Sequence, residues 1–328
     1  THDTKRGEDA RLRVAALSEL APRWGAEARR WRELNRHAVV GTAAGPAPDP
    51  QTEYLLYQTL VGIWPLQQAG RSSPELLERL RAFAVKAARE AGDHTSWTDP
   101  DAAFEQGLAA FLETVLDPAR SAAFLAALTR LADDIAEIAM VSSLAQTLLR
   151  CTSPGVPDLY QGNELWDDSL VDPDNRRPVD FPARRRLLSS LDQGADPAQL
   201  LAARRDGRIK LWVLSRALRA RRDHPGCVGP RGGYRPLPAT GRWADHVVAF
   251  ARIAPDGDAL VVVAPRLPGR VMQGRPQPPV GEAWADTKVE LDAPTWTDLL
   301  TGAPHGGGTR PLTQLLATLP VALLARDR

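Results

Sequence analysis

The sequence predicts an α/β protein that ends in a small all-β unit. Helical periodicity runs almost without interruption from residue 8 to residue 150. A short apolar run at residues 156–160 (VPDLY), with Gly155 before it and residues 161–163 (QGN) after it, predicts a buried strand followed by a loop. Beyond residue 222, short apolar runs alternate with turns rich in glycine and proline, which predicts an antiparallel β-sandwich.

Local signals divide the helical block into separate elements. Residues 41–50 (GTAAGPAPDP) form a turn-rich connector that we expect not to pack against the helices. Ser73 is placed to cap the helix that begins at Pro74, and Asp99 is expected to cap the next one. Two further amphipathic helices are predicted at about 118–132 and 133–150.

The last third of the chain contains two more predicted helices and then the strands. The helices cover about residues 182–192 and 197–222. The strands are predicted at VVAFARI, ALVVVAP, TKVELD and PVALLAR.

Composition excludes several classes of function. With 328 residues, of which 43% are hydrophobic, the chain can bury a substantial core. Its 41 Lys and Arg residues balance 40 Asp and Glu residues, so no charge surplus is available to bind phosphates or anionic lipid. No apolar run reaches the ~20 residues of a membrane span. We therefore expect no nucleic-acid partner and no membrane partner.

The two cysteines indicate a reducing compartment. Cys151 and Cys227 lie far apart, without metal-ligand spacing, and are interpreted as free thiols, which favours the cytoplasm. Residues 305–308 (HGGG) lack the nucleophile elbow that would make an oxyanion hole credible. We expect no metal and no cofactor.

The richest candidate site is residues 155–181, which hold seven carboxylates and two adjacent arginines. In a (β/α)8 barrel, the residues that follow a strand form the active-site face, so Gln161, Asn163 and Glu164 would point towards a ligand. Amides, carboxylates and aromatic rings side by side suit a sugar. The alternative is a well-satisfied turn, capped by Asp172, Asp174 and Asn175, with its arginines in ordinary ion pairs.

Residues 155–164 (GVPDLYQGNE) resemble the last barrel strand of the α-amylase superfamily, glycoside hydrolase family 13. The matching positions are Gly155, Pro157, Tyr160, Gly162 and Glu164.

Three longer stretches resemble the maltooligosyl trehalose synthase family within that superfamily. They are DLYQGNELWDDSLVDPDNRRPVDF (158–181), EYLLYQTLVGIWP (53–65) and KAAREAGDHTSWTDPDAAFE (86–105). Together with the opening residues, the matches reach from the first residue to about residue 188, whereas the β tail resembles the family only in placement and length.

This resemblance implies the carboxyl-terminal remnant of a (β/α)8 (TIM) barrel with a large helical insertion. Residues 1–7 would belong to the loop after barrel strand 7, and residues 8–150 to the helical insertion and a barrel helix. Residues 151–222 would form the last barrel strand, the active-site loop and the closing helices, and residues 223–328 a carboxyl-terminal antiparallel β-sandwich domain.

The resemblance also implies an isomerase of trehalose biosynthesis. It would convert the reducing-end α-1,4 unit of a maltooligosaccharide to an α,α-1,1 trehalosyl end by intramolecular transglucosylation. His2 would bind the sugar, and Asp3 would be the third catalytic carboxylate, which stabilises the transition state. The nucleophile and the acid/base would lie upstream of this segment, so we expect the chain alone to be inactive.

Further residues are expected to bind substrate. The polar and aromatic mixture in the 86–105 stretch motivates the first group, and the 155–181 segment supplies the second. These residues are Lys86, Arg89, Glu90, Thr95, Ser96 and Trp97, then Tyr160, Gln161, Asn163, Glu164, Asp174, Asn175, Arg176 and Arg177. For Trp97 the competing interpretation is burial in the helical core. We expect Arg176 and Arg177 to organise their loop by bidentate pairing with Asp172 or Asp174.

Two alternatives remain open from the sequence. One is a different glucan hydrolase or a sucrose-cleaving transglucosylase of the same superfamily. The other is a non-catalytic carbohydrate-binding or interaction fragment. The expected partners are the maltooligosaccharide substrate, the upstream half of the same enzyme and a trehalose-releasing hydrolase that acts on the product.

Overall fold

The chain divides into two compact units. The computed structural model describes residues 6–66 and 72–327. Within these, the helical unit contains the residues up to Ala136 together with Asp168–Arg177. The sheet unit contains Glu137–Asp167 and the residues from Pro178 onwards.

The helical unit confirms the prediction of a long helical block. Its helices are α1 (Glu8–Ala16), α2 (Ala21–Asn35), α3 (Pro50–Ile63), α4 (Pro74–Ala91), α5 (Ala102–Val115) and the first part of α6 (Pro118–Thr152). Short 3₁₀ helices cover Leu17–Leu20, Arg36–Ala38 and Asp174–Arg176. None of the described helices combines the length and apolar content needed to cross a lipid bilayer.

The predicted break between helices at 118–132 and 133–150 was wrong, because α6 continues through these residues and is kinked at Ser121 instead. Its backbone leaves helical geometry at Ser121, near the start, where φ is −134° and ψ is 36°. The Ser121 hydroxyl there donates a hydrogen bond to the Thr114 carbonyl oxygen at 2.9 Å. The acidic pair Asp133-Asp134 does not break the helix, since neither residue needs to leave the αR region.

The helix starts test the capping predictions. Ser73 caps α4 as predicted, because its hydroxyl accepts a hydrogen bond from the Leu76 amide at 3.1 Å. The prediction for Asp99 was wrong: Asp101 caps α5 and accepts a hydrogen bond from the Phe104 amide at 2.9 Å. The carbonyl of Asp99 instead closes the preceding turn onto the Ser96 amide.

The connector at 41–50 packs against the helices, contrary to prediction. It contributes to a two-stranded antiparallel hairpin formed by β1 (Val40–Thr42) and β2 (Gly45–Ala47). Ala47 is fully buried against α5. A side chain at Gly107 would bring its Cβ to 2.6 Å from the Ala47 Cβ, so glycine permits this close approach.

The sheet unit confirms the predicted helix at 182–192 and the four predicted strand regions. The single helix predicted at 197–222 was wrong, because the chain breaks at 203–207, where Gly207 takes the left-handed conformation. Its helices beyond α6 are α7 (Phe181–Asp192), α8 (Pro197–Ala202), α9 (Arg208–Asp223), α10 (Pro225–Val228), α11 (Pro268–Met272) and α12 (Leu312–Leu315). Its 3₁₀ helices cover Arg204–Asp206, Ala244–His246 and Gly281–Trp284. Its strands are β3 (Gly233–Pro236), β4 (Val247–Ile253), β5 (Ala259–Pro265), β6 (Lys288–Asp298), β7 (Pro304–Pro311) and β8 (Ala322–Arg326).

These strands form one antiparallel sheet in the order β3-β4-β5-β8-β6-β7, so the predicted sandwich was wrong. Alternate residues of β5 enter two different cores: Leu260 and Val262 pack with α9, whereas Val261 and Val263 pack with α12. Each face is thus covered by helices and loops. This is why β5 reads as a continuous apolar run rather than an alternating one.

Residues 156–160 do not form the predicted strand. Among the described residues no strand pairs with this run, and the side chain of Val156 is 94% exposed. A strand exists only with a neighbour that accepts its backbone hydrogen bonds. The run therefore has no regular secondary structure.

The Gly107 contact predicts the effect of one methyl group. Gly107→Ala should lower the free energy of unfolding by about 1–3 kcal/mol, because the new Cβ overlaps Ala47. The matched control is Gly25→Ala in α2, where the new Cβ meets only the tip of Arg29 at 3.7 Å. That change should be neutral or stabilise by up to about 1 kcal/mol. Urea denaturation of both variants decides, and equal effects would contradict the close packing.

Candidate functional site

The segment Asp168–Arg177 lies against α4 within the helical unit. Together they line a cavity of about 350 Å³. Its wall combines the apolar side chains of Phe83, Leu170 and Val171 with charged ones. A pocket of this size and mixture can hold a small polar ligand.

A bidentate ion pair between Arg79 and Asp174 fixes this segment. Arg79 Nε donates to Asp174 Oδ1 at 2.9 Å, and Arg79 Nη2 donates to Asp174 Oδ2 at 3.0 Å. Arg79 Nη2 also donates to the Asp168 carbonyl oxygen at 2.9 Å. The Leu170 amide donates to Asp174 Oδ2 at 2.7 Å. Both side chains of the pair are only 12% exposed, which favours a rigid arrangement.

The charge state of Asp174 follows from these contacts. Burial by itself would raise the pKa of Asp174, but the hydrogen bonds from Arg79 and the Leu170 amide and the charges of Arg79 and Arg177 outweigh it and lower the pKa. Asp174 is therefore ionised at neutral pH. It can accept hydrogen bonds but cannot serve as a general acid.

Lys86 holds the middle of the segment from the same face of α4. Its Nζ donates to the Asp172 carbonyl oxygen at 2.8 Å and to Asp172 Oδ1 at 2.9 Å. Glu90 lies one turn further along, with Oε1 at 3.9 Å from Lys86 Nζ. Arg79 and Lys86 are seven residues apart, which places them on one helical face.

The predicted bidentate role of Arg176 and Arg177 was wrong. Arg176 Nη2 lies 3.6 Å from Asp172 Oδ2, and Arg177 Nε lies 3.1 Å from Asp174 Oδ1. Both arginines are exposed, whereas the more buried Arg79 takes both carboxylate oxygens of Asp174. The seven-residue spacing of Arg79 and Lys86 predicts that both lie on one face of the helix, but it does not identify Asp174 as the partner of Arg79.

A second cluster joins the end of α4 to the start of α5. Arg89 donates from Nε and Nη2 to the two carboxylate oxygens of Glu105, both at 2.7 Å. Thr95 Oγ1 donates to Glu105 Oε1 at 2.7 Å and accepts from the Asp101 amide at 3.0 Å. The hydrogen bond from Arg89 is the main cause that lowers the pKa of Glu105; burial opposes it and Thr95 adds to it.

Trp97 is not part of the helical core, so the competing interpretation of this residue was wrong. Its side chain is 59% exposed, and the Arg89 guanidinium carbon lies 5.0 Å from its ring centroid. Ser96 serves the turn, because its Oγ accepts from the Asp99 amide at 2.9 Å. An exposed indole ring with one face on a guanidinium leaves its other face open.

The remaining predicted residues of the segment are placed beside this cluster or in the sheet unit. Asn175 is half-buried within the 3₁₀ helix of the segment. In the sheet unit, Glu164 Oε2 accepts from Arg184 Nε at 2.9 Å. Asn163 is 6% exposed, and its Oδ1 has no hydrogen-bond partner among the described residues. Gln161 is exposed and Tyr160 half-buried.

The predicted catalytic pair, His2 and Asp3, lies outside the described residues. The structure brings Lys86, Glu90, Asp174, Asn175, Arg176 and Arg177 together around α4, and Arg89, Thr95, Ser96 and Trp97 around its end. It brings Tyr160 and Asn163 together, since the Asn163 amide donates to the Tyr160 carbonyl at 3.2 Å.

The Arg79–Asp174 pair predicts a pH-dependent effect of Asp174→Asn. Because the folded-state pKa is lowered, the ionised carboxylate stabilises the fold above its ordinary pKa of 3.8, and this contribution is lost as the pH falls through the folded value. The variant should lose about 2 kcal/mol at neutral pH. Urea unfolding from neutral pH to below 3.8 should show the difference from the unsubstituted chain shrinking. Asp93→Asn, an exposed carboxylate just beyond α4, serves as control.

The comparisons with known proteins follow the same residues over the whole chain. No family model matches the sequence. Two strains of Mycobacterium tuberculosis carry proteins named as maltooligosyl trehalose synthase that are 43% identical over all 328 residues. The chain spans 37% of the length of these relatives.

Solved structures give the same result. The maltooligosyltrehalose synthase of Arthrobacter ramosus matches with a TM-score of 0.78 and 39% identity, covering all of this chain and 38% of that one. A hypothetical maltooligosyl trehalose synthase of Sulfolobus tokodaii matches with a TM-score of 0.74 and 27% identity, covering 99% of this chain and 38% of that one. The resemblance to maltooligosyl trehalose synthases is thus confirmed over the whole chain, which corresponds to little more than a third of such a protein.

Proposed function

We propose that the chain forms part of a maltooligosyl trehalose synthase. Such an enzyme moves the reducing-end glucose of a maltooligosaccharide from an α-1,4 to an α,α-1,1 linkage. The observation that carries this proposal is the 43% identity across all 328 residues to proteins of that name. The alignment includes all three motifs. Arg79 pairs with Asp174 of the 158–181 motif, and Glu105 pairs with Arg89 within the 86–105 motif.

The chain would contribute the carboxyl-terminal part of a (β/α)8 barrel. Residues 156–160 would pair as the last strand once neighbouring strands are present, which accounts for their lack of a strand partner among the described residues. Tyr160, Gln161, Asn163 and Glu164 would then reach the active-site face. The buried Oδ1 of Asn163 would be free to accept a sugar hydroxyl or a backbone amide of that barrel.

His2 and Asp3 would bind the reducing-end glucose. His2 would donate to a ring hydroxyl, and Asp3 would stabilise the positive charge that develops in the oxocarbenium-like transition state. The attacking carboxylate and the proton donor would come from the remainder of the enzyme. This chain alone would therefore bind sugar without rearranging it.

The helical unit would act as a cover that excludes water. A glycosyl-enzyme intermediate hydrolyses when water reaches it, so an isomerase has to close its site during the transfer. Trp97 is suited to this task because its free ring face can stack on the glucose while Arg89 and Glu105 hold the other side.

A product assay on maltopentaose tests the proposal. It compares this chain with a polypeptide extended to the full length of its relatives. Trehalosyl product from the extended form alone is the expected result. If the extended form releases only glucose or shorter maltooligosaccharides, the enzyme is a glucan hydrolase and not a synthase. Sugar binding without any product in either form would favour a binding module.

Replacing Trp97 tests the cover. In the full-length enzyme, Trp97→Ala should lower the ratio of trehalosyl product to free glucose several-fold, because one stacked ring contributes about 1 kcal/mol. Tyr234→Ala in β3, another aromatic that is 49% exposed, should leave the ratio unchanged. An unchanged ratio of trehalosyl product to glucose in Trp97→Ala would show that Trp97 does not help to exclude water.

Replacing arginines by lysine tests which of them positions the segment Asp168–Arg177. Arg79→Lys should reduce kcat/KM about tenfold, since lysine keeps the charge but loses the fork to Asp174. The double change Arg176→Lys with Arg177→Lys should cost less, because both side chains are exposed and their ion pairs are screened by water. A larger loss of kcat/KM in the double variant than in Arg79→Lys would show that Arg176 and Arg177 position the segment.

A further inference from the structure

Three side chains with metal-binding atoms converge in the sheet unit, outside the residues assigned to the sugar. His224 follows the end of α9, Cys227 lies in α10, and Asp258 precedes β5. Their ligand atoms all lie within 4.8 Å of one another. His224 Nδ1 and Asp258 Oδ2 are 2.8 Å apart.

The backbone holds these three side chains together. The Cys227 amide donates to the His224 carbonyl at 3.1 Å, so both residues belong to one tight turn. A Cβ at Gly226 would lie 2.9 Å from the Ala254 Cβ, so glycine allows this turn to approach the end of β4. The Ala254 amide donates to the Asp258 carbonyl at 2.8 Å and closes the opposing turn.

The cluster is shielded but reachable. Cys227 is fully buried, whereas the side chains of His224 and Asp258 are 16% and 13% exposed. Asp258 also lines a cavity of about 350 Å³ together with Asp256 and Asp327. These carboxylates give a cation an entry path, although Arg326 in the same cavity opposes it in part.

A divalent ion at this position would hold Cys227 as the thiolate, because a coordinating thiol is deprotonated.

We propose that His224, Cys227 and Asp258 bind a divalent metal ion of the zinc class, with water in the fourth position. Sulfur, imidazole nitrogen and carboxylate oxygen are the three ligand types that Zn²⁺ takes in proteins. On binding, the Cys227 thiol gives one proton to solvent and forms the metal–sulfur bond. The neutral imidazole and the carboxylate each donate a lone pair, and no electron is transferred.

The imidazole and the carboxylate must separate slightly to hold a metal ion between them. Ligand atoms of a tetrahedral zinc site are about 3.4 Å apart. The 2.8 Å between Nδ1 and Oδ2 must therefore open by roughly half an ångström. Rotation of the Asp258 carboxylate into the cavity that it lines supplies this movement.

The two cysteines lack metal-ligand spacing, so the sequence predicts no metal. The proposed site uses only one cysteine. Its histidine is three residues earlier, and its carboxylate lies beyond a strand, where no short motif reveals it. Such a metal would join α9 and α10 to the β4–β5 turn and stabilise the sheet unit. This role is independent of the proposed sugar chemistry.

Titration of the purified, reduced and metal-free 328-residue chain with Co²⁺ tests the proposal. Co²⁺ reports on zinc sites because thiolate ligation gives a charge-transfer absorption band. We expect this band to saturate at an equimolar ratio and to disappear when Zn²⁺ displaces the cobalt. Zn²⁺ should also raise the unfolding temperature.

Two serine variants assign the band. Cys227→Ser should abolish it, and Cys151→Ser, the matched change at the other buried free cysteine, should retain it. Asp258→Asn should weaken Co²⁺ binding at least tenfold. Circular dichroism checks that each variant is folded. Absence of the band from the unsubstituted chain would overturn the proposal whatever the variants do, and so would a band that persists in Cys227→Ser.

Discussion

The helical unit depends on one partly buried ion pair between residues 95 positions apart, Arg79 and Asp174. Taking both charges out of water costs several kcal/mol. The two parallel hydrogen bonds and the Leu170 amide offset that cost only in one geometry. The pair therefore selects a conformation as well as stabilising it. With this segment fixed, its other end lies beside the start of α1, where the Gly7 amide donates to the Ser169 carbonyl.

The sheet unit follows a different rule, in which apolar burial dominates and two deeply buried charged groups, Arg252 and Asp298, are each held by several hydrogen bonds. Arg252 is 1% exposed and donates to the Thr152 and Gly233 carbonyls. Asp298 accepts from two backbone amides and from the Thr301 hydroxyl, yet burial still raises its pKa to about 6. A carboxylate so deeply placed is tolerated because it terminates β6 and closes the turn that follows.

Local sequence signals sufficed where the deciding interaction is local. Ser73 caps α4 through a contact three residues away, and the apolar runs of the last third became strands because they pair within the same unit. Sequence-based predictions were wrong where a residue distant in the chain determines the local structure. Residues 156–160 have strand composition without a described neighbour, and residues 41–50 pack because Gly107 leaves room for Ala47. The importance of Arg79 depends on a carboxylate in another motif, which periodicity cannot reveal.

The motif KAAREAGDHTSW shows how local and distant constraints combine at the candidate site. Gly92 ends α4 in the left-handed conformation, so the chain turns and returns Thr95 to Glu105. The Glu105 carboxylate also accepts two hydrogen bonds from Arg89. The Trp97 ring lies against the guanidinium of Arg89. The Trp97 indole is therefore exposed and lies against the Arg89 guanidinium, which Glu105 holds in place. An exposed ring face of this kind is what the stacking role proposed for Trp97 requires.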